Sequence, residues 1–281
     1  MPLCRMDRLL IDARKKHCAV GAFECWKSDN IHAIALAAHR TDSPVIFQAS
    51  PAEYGLIGGP DVLRRIVAIY VEKYAITAAL HLDHGTTLDQ VRECIDAGFT
   101  SVMLDASALS FEENCDLSRQ ASELAHPHDI SVEAELGHVG GAAEGGIVGE
   151  ASFTCPEEAE RFVYLTGIDC LAVAIGTVHG EYRGVPALRL ERLREIARQV
   201  AVPLVLHGGS GTPFDQLQSA IELGIAKINI CTDIDKTYIA AIKEAEKHLT
   251  PSVPGNFYRP AVEAVAKHTE TLIRQFGGMM K

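Results

Sequence analysis

Eight continuous apolar runs, separated by stretches of helical periodicity, restrict the folds open to this chain more than any other feature. They read "VGAF" (20–23), "PVIFQAS" (44–50), "TAALHLDH" (77–84), "SVMLDAS" (101–107), "ISVEAELG" (130–137), "CLAVAIG" (170–176), "PLVLHG" (203–208) and "AKINIC" (226–231). None alternates strictly between apolar and polar residues, which is the pattern of parallel strands covered on both faces. Segments such as "NIHAIALAAHR", "PDVLRRIVAIYVEKY" and "LRLERLREIARQV" carry the helical period, and several helical segments stop at glycine, as helix C-termini prefer. Eight strand–helix units in roughly 250 residues is the size of an α/β protein of the (β/α)8 TIM-barrel type. A doubly wound sheet is the alternative, but no GxGxxG fingerprint follows the first run. No linker, low-complexity stretch or repeat divides the chain. Residues 1–281 therefore read as a single barrel domain, with "PAVEAVAKHTETLIRQF" as a C-terminal helical extension.

With 47% hydrophobic and 22% charged residues, the chain can fill such a core and is not a disordered polymer. A formal charge of −11 argues against nucleic acid or an acidic membrane as partner. It leaves room for an anionic small molecule held by a metal ion, a helix N-terminus or a few basic side chains. No stretch approaches the roughly 20 apolar residues of a membrane span. The opening "MPLCRMDRLLIDARKK" reads as an amphipathic first helix, not a signal peptide. Eight cysteines lie scattered without a CxxC pair, so the expectation is reduced thiols in a cytoplasmic protein.

A barrel of this kind places its chemistry at the C-terminal ends of the strands. Polar residues collect there: Ser50, Asp83 and His84, Asp105 and Ser107, Glu135, His179, His207 with Ser210, and Asn229 with Thr232. His126 and His128, in "AHPHDI", precede the fifth strand and are assigned to solvent. His84, His179 and His207 end three different strands, each beside Gly, Asp or Ser. A catalytic zinc takes three protein ligands and keeps one position open, so this trio is the candidate metal site. A hydrogen-bonded core histidine would explain any one of them alone.

Asp83 precedes His84 by one residue, so on a regular strand it points differently and can sit near the metal without ligating it. That suits a proton donor; the other reading is a partner that orients a ligand histidine. Asp105 and Glu135 also end strands, where they hold a ligand in place, take up a displaced metal or form structural ion pairs. "HGGSG" (207–211) follows the seventh strand and "NICTD" (229–233) ends the eighth. Loops in those places frequently bind phosphate: glycines let backbone N–H groups approach the anion, and Ser210 and Thr232 add hydroxyl donors.

Taken together, "LHLDHG", "SVMLDAS…FEEN", "SVEAELG…GG", "LAVAIGTVHG", "PLVLHGGSG" and "KINICTD" resemble, in order and from about residue 5 onwards, the class II, zinc-dependent ketose-bisphosphate aldolases. This is the group of the fructose- and tagatose-bisphosphate enzymes. The resemblance implies reversible retro-aldol cleavage of a ketose 1,6-bisphosphate or ketose 1-phosphate to dihydroxyacetone phosphate and an aldehyde, a lyase reaction of carbohydrate metabolism. It implies Zn2+ on His84, His179 and His207, with Asp83 exchanging a proton with the C4 hydroxyl. Gly180, Gly208, Gly209, Ser210, Asn229 and Thr232 would surround the dihydroxyacetone phosphate half, with Ser50 also counted among the substrate-binding residues. A monovalent cation (Na+ or K+) near the phosphate and a homodimer or homotetramer follow from the same likeness.

The chain also departs from the family's pattern. The first strand usually carries an asparagine in "AFN"; here Glu24 stands in "GAFEC". The loop after the fifth strand usually reads GG-x-E-D, with a glutamate that moves a proton at C3; "GGAAE" puts Ala143 in that slot and Glu144, the candidate replacement, one place later. The family's DPR, whose arginine reaches a distal phosphate, becomes Val253, Pro254 and Gly255. Losing that arginine removes a charge-assisted contact, and Glu24 would repel a nearby phosphate. The expectation is an intact metal and dihydroxyacetone phosphate half beside a rebuilt aldehyde half. Arg183, Arg259 and Arg274 are read as surface charges, and Trp26 as packing at the rim. Three alternatives stay open: a Schiff-base aldolase using Lys227, a zinc hydrolase, and a non-catalytic sugar-phosphate-binding paralogue.

Overall fold

A computed structural model describes residues 3–140, 153–182, 184–248 and 254–277. Eight parallel strands close into one barrel in sequence order: β1 Val20–Glu24, β2 Val45–Ala49, β3 Ala78–Gly85, β4 Ser101–Leu104, β5 Ser131–Leu136, β6 Cys170–Val173, β7 Leu204–Leu206 and β8 Ile225–Ile230. The helices are α1 Met6–Lys15, α2 Ser28–Thr41, α3 Pro51–Ile57, α4 Pro60–Tyr74, α5 Leu88–Ala97, α6 Phe111–Ala125, α7 Pro156–Thr166, α8 Leu190–Gln199, α9 Phe214–Glu222, α10 Thr232–His248 and α11 Pro254–Gln275. None of them is long and apolar enough to cross a membrane. β1 closes the barrel on β8 with Val20 opposite Lys227 and Ala22 opposite Asn229.

Several apolar runs outlast their strands. β6 stops at Val173 although the run continues to Gly176. There the backbone turns to other partners: Ala174 N–H donates to the Thr154 hydroxyl, and Arg189 N–H donates to the Ile175 carbonyl. β4 likewise ends at Leu104, after which Ser107 N–H donates to the Asp105 carboxylate. Strand ends are thus given over to the loops that build the mouth.

The barrel interior changes character along its axis. Its base is apolar: Met6 and Leu10 of α1 pack with Val20, Ala22, Ile46, Ala79, Ala172 and Val205. At mid-height His81, Ser101, Glu133 and Lys227 are fully buried. Lys227 Nζ donates to Glu133 Oε2 at 2.9 Å, and His81 Nδ1 lies 2.8 Å from Ser101 Oγ. A buried charge persists only when it is paired, and this layer pairs its own. His126 and His128 are exposed in a short 3-10 turn before β5, with His126 against Asp169 at 3.0 Å.

Candidate active site

At the C-terminal mouth lies a cavity of about 310 Å³. Glu24, Gln48, Ser50, Glu53, Asp83 and His84 line one side; His179, Gly180, Gly208, Ser210, Asn229 and Thr232 line the other. Among the described residues lining it there is neither lysine nor arginine.

The end of β3 is irregular, which corrects the expected opposition of Asp83 and His84. His84 takes φ +46°, and the register against β4 shifts between Leu82 and Gly85. Both side chains therefore face the cavity instead of pointing to opposite sides of the sheet. Asp83 is not engaged by the imidazoles: its carboxylate accepts from Gln48 Nε2 at 3.1 Å and from Asn229 Nδ2 at 3.2 Å.

The three histidines meet, although only His84 in β3 and His207 just past β7 sit at strand ends; His179 lies in the loop six residues beyond β6. His84 Nε2 lies 3.1 Å from His179 Nε2 and 2.9 Å from His207 Nδ1. The other ring nitrogens are held from behind. His84 Nδ1 donates to Asp105 Oδ2 at 2.8 Å, and His207 Nε2 donates to Glu133 Oε1 at 2.7 Å. Such contacts fix tautomer and ring direction, so the remaining nitrogen points to the shared centre. His179 N–H reaches the Gly140 carbonyl at 2.9 Å, which anchors the third ring's backbone.

The electrostatics around the trio favour a cation. Burial acts to lower the pKa of His84, but Asp83, Asp105 and Glu135 outweigh it and lift the group to about 10. Burial and the neighbouring His84 push His179 down to about 4 and His207 well below the ordinary imidazole range. One positive charge is thus wanted among three nitrogens.

A four-coordinate zinc with bonds of about 2.05 Å separates its ligand nitrogens by about 3.3 Å, close to the spacing found. Glu135 adds a further mark. Its Oε1 accepts from Val139 N–H at 2.8 Å, while its buried Oε2, 3.8 Å from His207 Nδ1, has no hydrogen-bond partner among the described residues. Burial, with Asp105 beside it, raises Glu135 to about 8. His84, Asp105 and Glu135 form a second set whose ligand atoms lie within 4.8 Å of one another. The donor set fits a metal of the zinc type.

Backbone shapes the opposite wall. Gly180 and Gly208 take φ +88° and +66°. A Cβ on Gly208 would come 2.4 Å from the Val178 carbonyl oxygen, so no other residue can make that turn. Thr232 begins α10, whose N-terminus faces the same cavity. Tyr182 ties the wall together: its hydroxyl donates to the Gly208 carbonyl at 2.8 Å and lies 3.2 Å from Thr212 Oγ1.

Sequence reasoning missed Gln48, Glu53, Glu133 and Tyr182. Glu133 had a signal, since it and Glu135 are acids two apart in a buried strand and so share its inner face. Gln48 stood as the one amide in "PVIFQAS". Glu144 and Ala143 lie outside the described residues, as do Arg183 and Val253. Arg259 and Arg274 are exposed on α11. Trp26 is not part of the cavity; its ring meets Tyr238 edge-on at 5.0 Å. Lys227 lies a layer below the mouth with its ammonium spent on Glu133, which removes the amine a Schiff-base reading needs.

Chemistry-bearing side chains gathered at the C-terminal mouth are what make a (β/α)8 barrel an enzyme, and this chain is one. It belongs to the class II fructose-bisphosphate aldolase family: the family described as "Fructose-bisphosphate aldolase class-II" matches residues 4–281. The activity is accordingly that of an aldolase, a lyase. A "Probable fructose-bisphosphate aldolase" of Bacillus subtilis (strain 168) is 40% identical, covering 99% of this chain and 98% of its own. A "6-phospho-5-dehydro-2-deoxy-D-gluconate aldolase" of Bacillus velezensis is 39% identical over 100% of this chain and 98% of its own. The crystal structure of the YdjI aldolase of Escherichia coli K12 superposes with a TM-score of 0.89 at 34% identity, covering 99% of this chain and 98% of that one.

Proposed function

We propose that the protein is a zinc-dependent aldolase that reversibly cleaves a ketose 1-phosphate or ketose 1,6-bisphosphate to dihydroxyacetone phosphate and an aldehyde, with an altered pocket on the aldehyde side. The observation that carries this reading is the meeting of three imidazole nitrogens beside a carboxylate oxygen of Glu135 that has no hydrogen-bond partner among the described residues. His84, His179 and His207 would hold the ion, with Asp105 orienting His84 and Glu135 offering an alternate position. When bound, zinc supplies a Lewis acid for the substrate's carbonyl.

The chain's own residues do the rest. Gly180, Gly208, Gly209, Ser210, Asn229 and Thr232 bind the dihydroxyacetone phosphate half, where the start of α10 favours negative charge. A monovalent cation (Na+ or K+) beside that phosphate belongs to the same reading. Asp83, aimed by the amides of Gln48 and Asn229, takes the C4 hydroxyl proton as the C3–C4 bond breaks. The bonding electron pair stays with C3, and we assign the proton returned there to Glu144. Ser50 lies on the aldehyde side.

Relatives of similar identity bear names for a bisphosphate and for a phosphorylated gluconate, substrates whose distal ends differ, so neither name transfers to this chain's aldehyde half. Eight free thiols suit a cytoplasmic enzyme, and the family likeness favours a homodimer or homotetramer. The test is release of dihydroxyacetone phosphate from a panel of ketose 1-phosphates and 1,6-bisphosphates, with and without a chelator. Chelator-sensitive release is expected. Tight sugar-phosphate binding with no turnover of any member would instead support the non-catalytic paralogue.

A further inference from the structure

Around the aldehyde half, hydrogen-bond donors are already spent on carboxylates. Gln48 Nε2 donates to Glu24 Oε2 at 3.0 Å and to Asp83 Oδ2 at 3.1 Å. Only an NH2 can face two carboxylates, so the orientation of this amide is dictated by its neighbours. Its other atom, Oε1, is buried in a residue only 1% exposed and has no partner among the described residues, although Gln48 lines the cavity. Across the cavity, Asn229 shows the same arrangement, with Nδ2 given to Asp83 and Oδ1 left without a hydrogen-bond partner among the described residues. Ser50 N–H is shared by Glu24 Oε1 and Glu53 Oε2, at 3.0 and 3.1 Å, and Glu53 also takes the Ser50 hydroxyl. What remains on this wall is a set of acceptors.

We propose that Glu24, Gln48 and Glu53 form a specificity wall selecting an aldehyde that is uncharged and carries hydroxyl groups over one bearing a phosphate or carboxylate. The inference rests on the aldolase reading above and concerns only the half of the substrate that reading leaves open. Buried acceptors without partners require a ligand that brings donors, and hydroxyl groups bring them. A phosphate or carboxylate brings further acceptors and negative charge to a wall that holds two glutamates and an aspartate. The described lining offers it no lysine or arginine. Glu24 is decisive because the family's asparagine at this position would contribute an amide donor, whereas both Glu24 oxygens are already occupied as acceptors, by Gln48 Nε2 and by Ser50 N–H.

The test runs the zinc-loaded enzyme in the direction of addition. C3 of dihydroxyacetone phosphate forms a bond to the aldehyde carbon, and the proton lost from C3 is balanced by one gained on the new hydroxyl. The acceptors are D-glyceraldehyde, D-glyceraldehyde 3-phosphate and propanal, the last lacking the hydroxyls. The expected result is a kcat/KM for D-glyceraldehyde at least about tenfold above each of the others. Glu24→Gln should shrink the advantage over the phosphorylated aldehyde by about tenfold, and Glu53→Gln serves the same comparison should the first variant fail to fold. Preference for the phosphorylated aldehyde, or ratios unmoved in both variants, overturns the proposal. Exchange of deuterium into C3 of dihydroxyacetone phosphate reads the metal and phosphate half separately. Chelator-sensitive exchange without addition to any hydroxylated aldehyde sinks this inference alone; neither exchange nor addition sinks the aldolase reading and takes this one with it.

Discussion

On the β6–β8 side of the mouth the cavity wall is made of backbone: the positive-φ turns at Gly180 and Gly208 and the start of α10. On the β1–β2 side it is made of side chains, with Glu24, Gln48 and Glu53 facing the space. The two differ in what a single substitution can do to them. A backbone turn that places a would-be Cβ 2.4 Å from a carbonyl oxygen tolerates no residue but glycine. A side-chain wall can exchange an amide for a carboxylate without moving the chain. On the proposed function, the half that would bind a constant phosphate is built from parts that resist change, and the half that would meet a variable aldehyde from parts that accept it.

The largest effect should come from taking away what both halves share. Chelation is expected to lower cleavage by at least about a thousandfold, roughly 4 kcal/mol of barrier. Added zinc should restore it and magnesium should not, since the donor set is nitrogen-rich. Dihydroxyacetone phosphate release measured before and after re-metallation decides this. Survival of activity without metal would dissolve the comparison, because neither half would then be organised about a common ion.

Asp83 stands where the two halves touch, held by Gln48 from one side and Asn229 from the other. Asp83→Asn should lower kcat by about 10²–10⁴-fold, the usual range for a lost general acid–base group, with zinc content unchanged. Steady-state kinetics and metal analysis read the two quantities separately. Loss of zinc together with activity would show that Asp83 holds the ion, not the proton.

Much of this was legible beforehand, for reasons that also explain the gaps. Continuous apolar runs marked the strands because a parallel sheet buried on both faces leaves few other patterns. The three histidines were found because each follows its own run and so must arrive at one end of the barrel. Three features were not legible. The left-handed turn at His84 has no cue in "LDHG" that separates it from regular strand, and it brings His84 to the same cavity as Asp83. Glu133 and Lys227 lie 94 residues apart, and only the closed barrel makes them a pair. Tyr182 lies two residues after the loop glycine Gly180, and nothing local says that its hydroxyl reaches the Gly208 carbonyl.

Support behind the metal should matter less than the metal itself. Asp105→Ala removes the acceptor of His84 Nδ1–H, and such losses typically cost about 10–100-fold in metal affinity. Competition with a chromophoric chelator measures the shift directly. Aldehyde selectivity should not move, because Asp105 is not among the residues of the distal wall. A change in selectivity would mean that the halves are coupled through the ion.

The smallest effect should belong to Tyr182→Phe, and it separates the two walls most cleanly. The phenol hydroxyl bonds the Gly208 carbonyl, the Thr212 hydroxyl and the Val178 N–H, clamping the β6 and β7 loops that form the proposed phosphate side. Removing it keeps the ring and loses the clamp, which should cost about 1 kcal/mol. That appears as a KM for dihydroxyacetone phosphate raised about fivefold, with kcat nearly unchanged and the preference among aldehydes untouched. Glu24→Gln should do the reverse, altering the preference among aldehydes and sparing the affinity for the phosphate. If both variants change both quantities, the walls are not independent and the backbone-versus-side-chain division of labour fails.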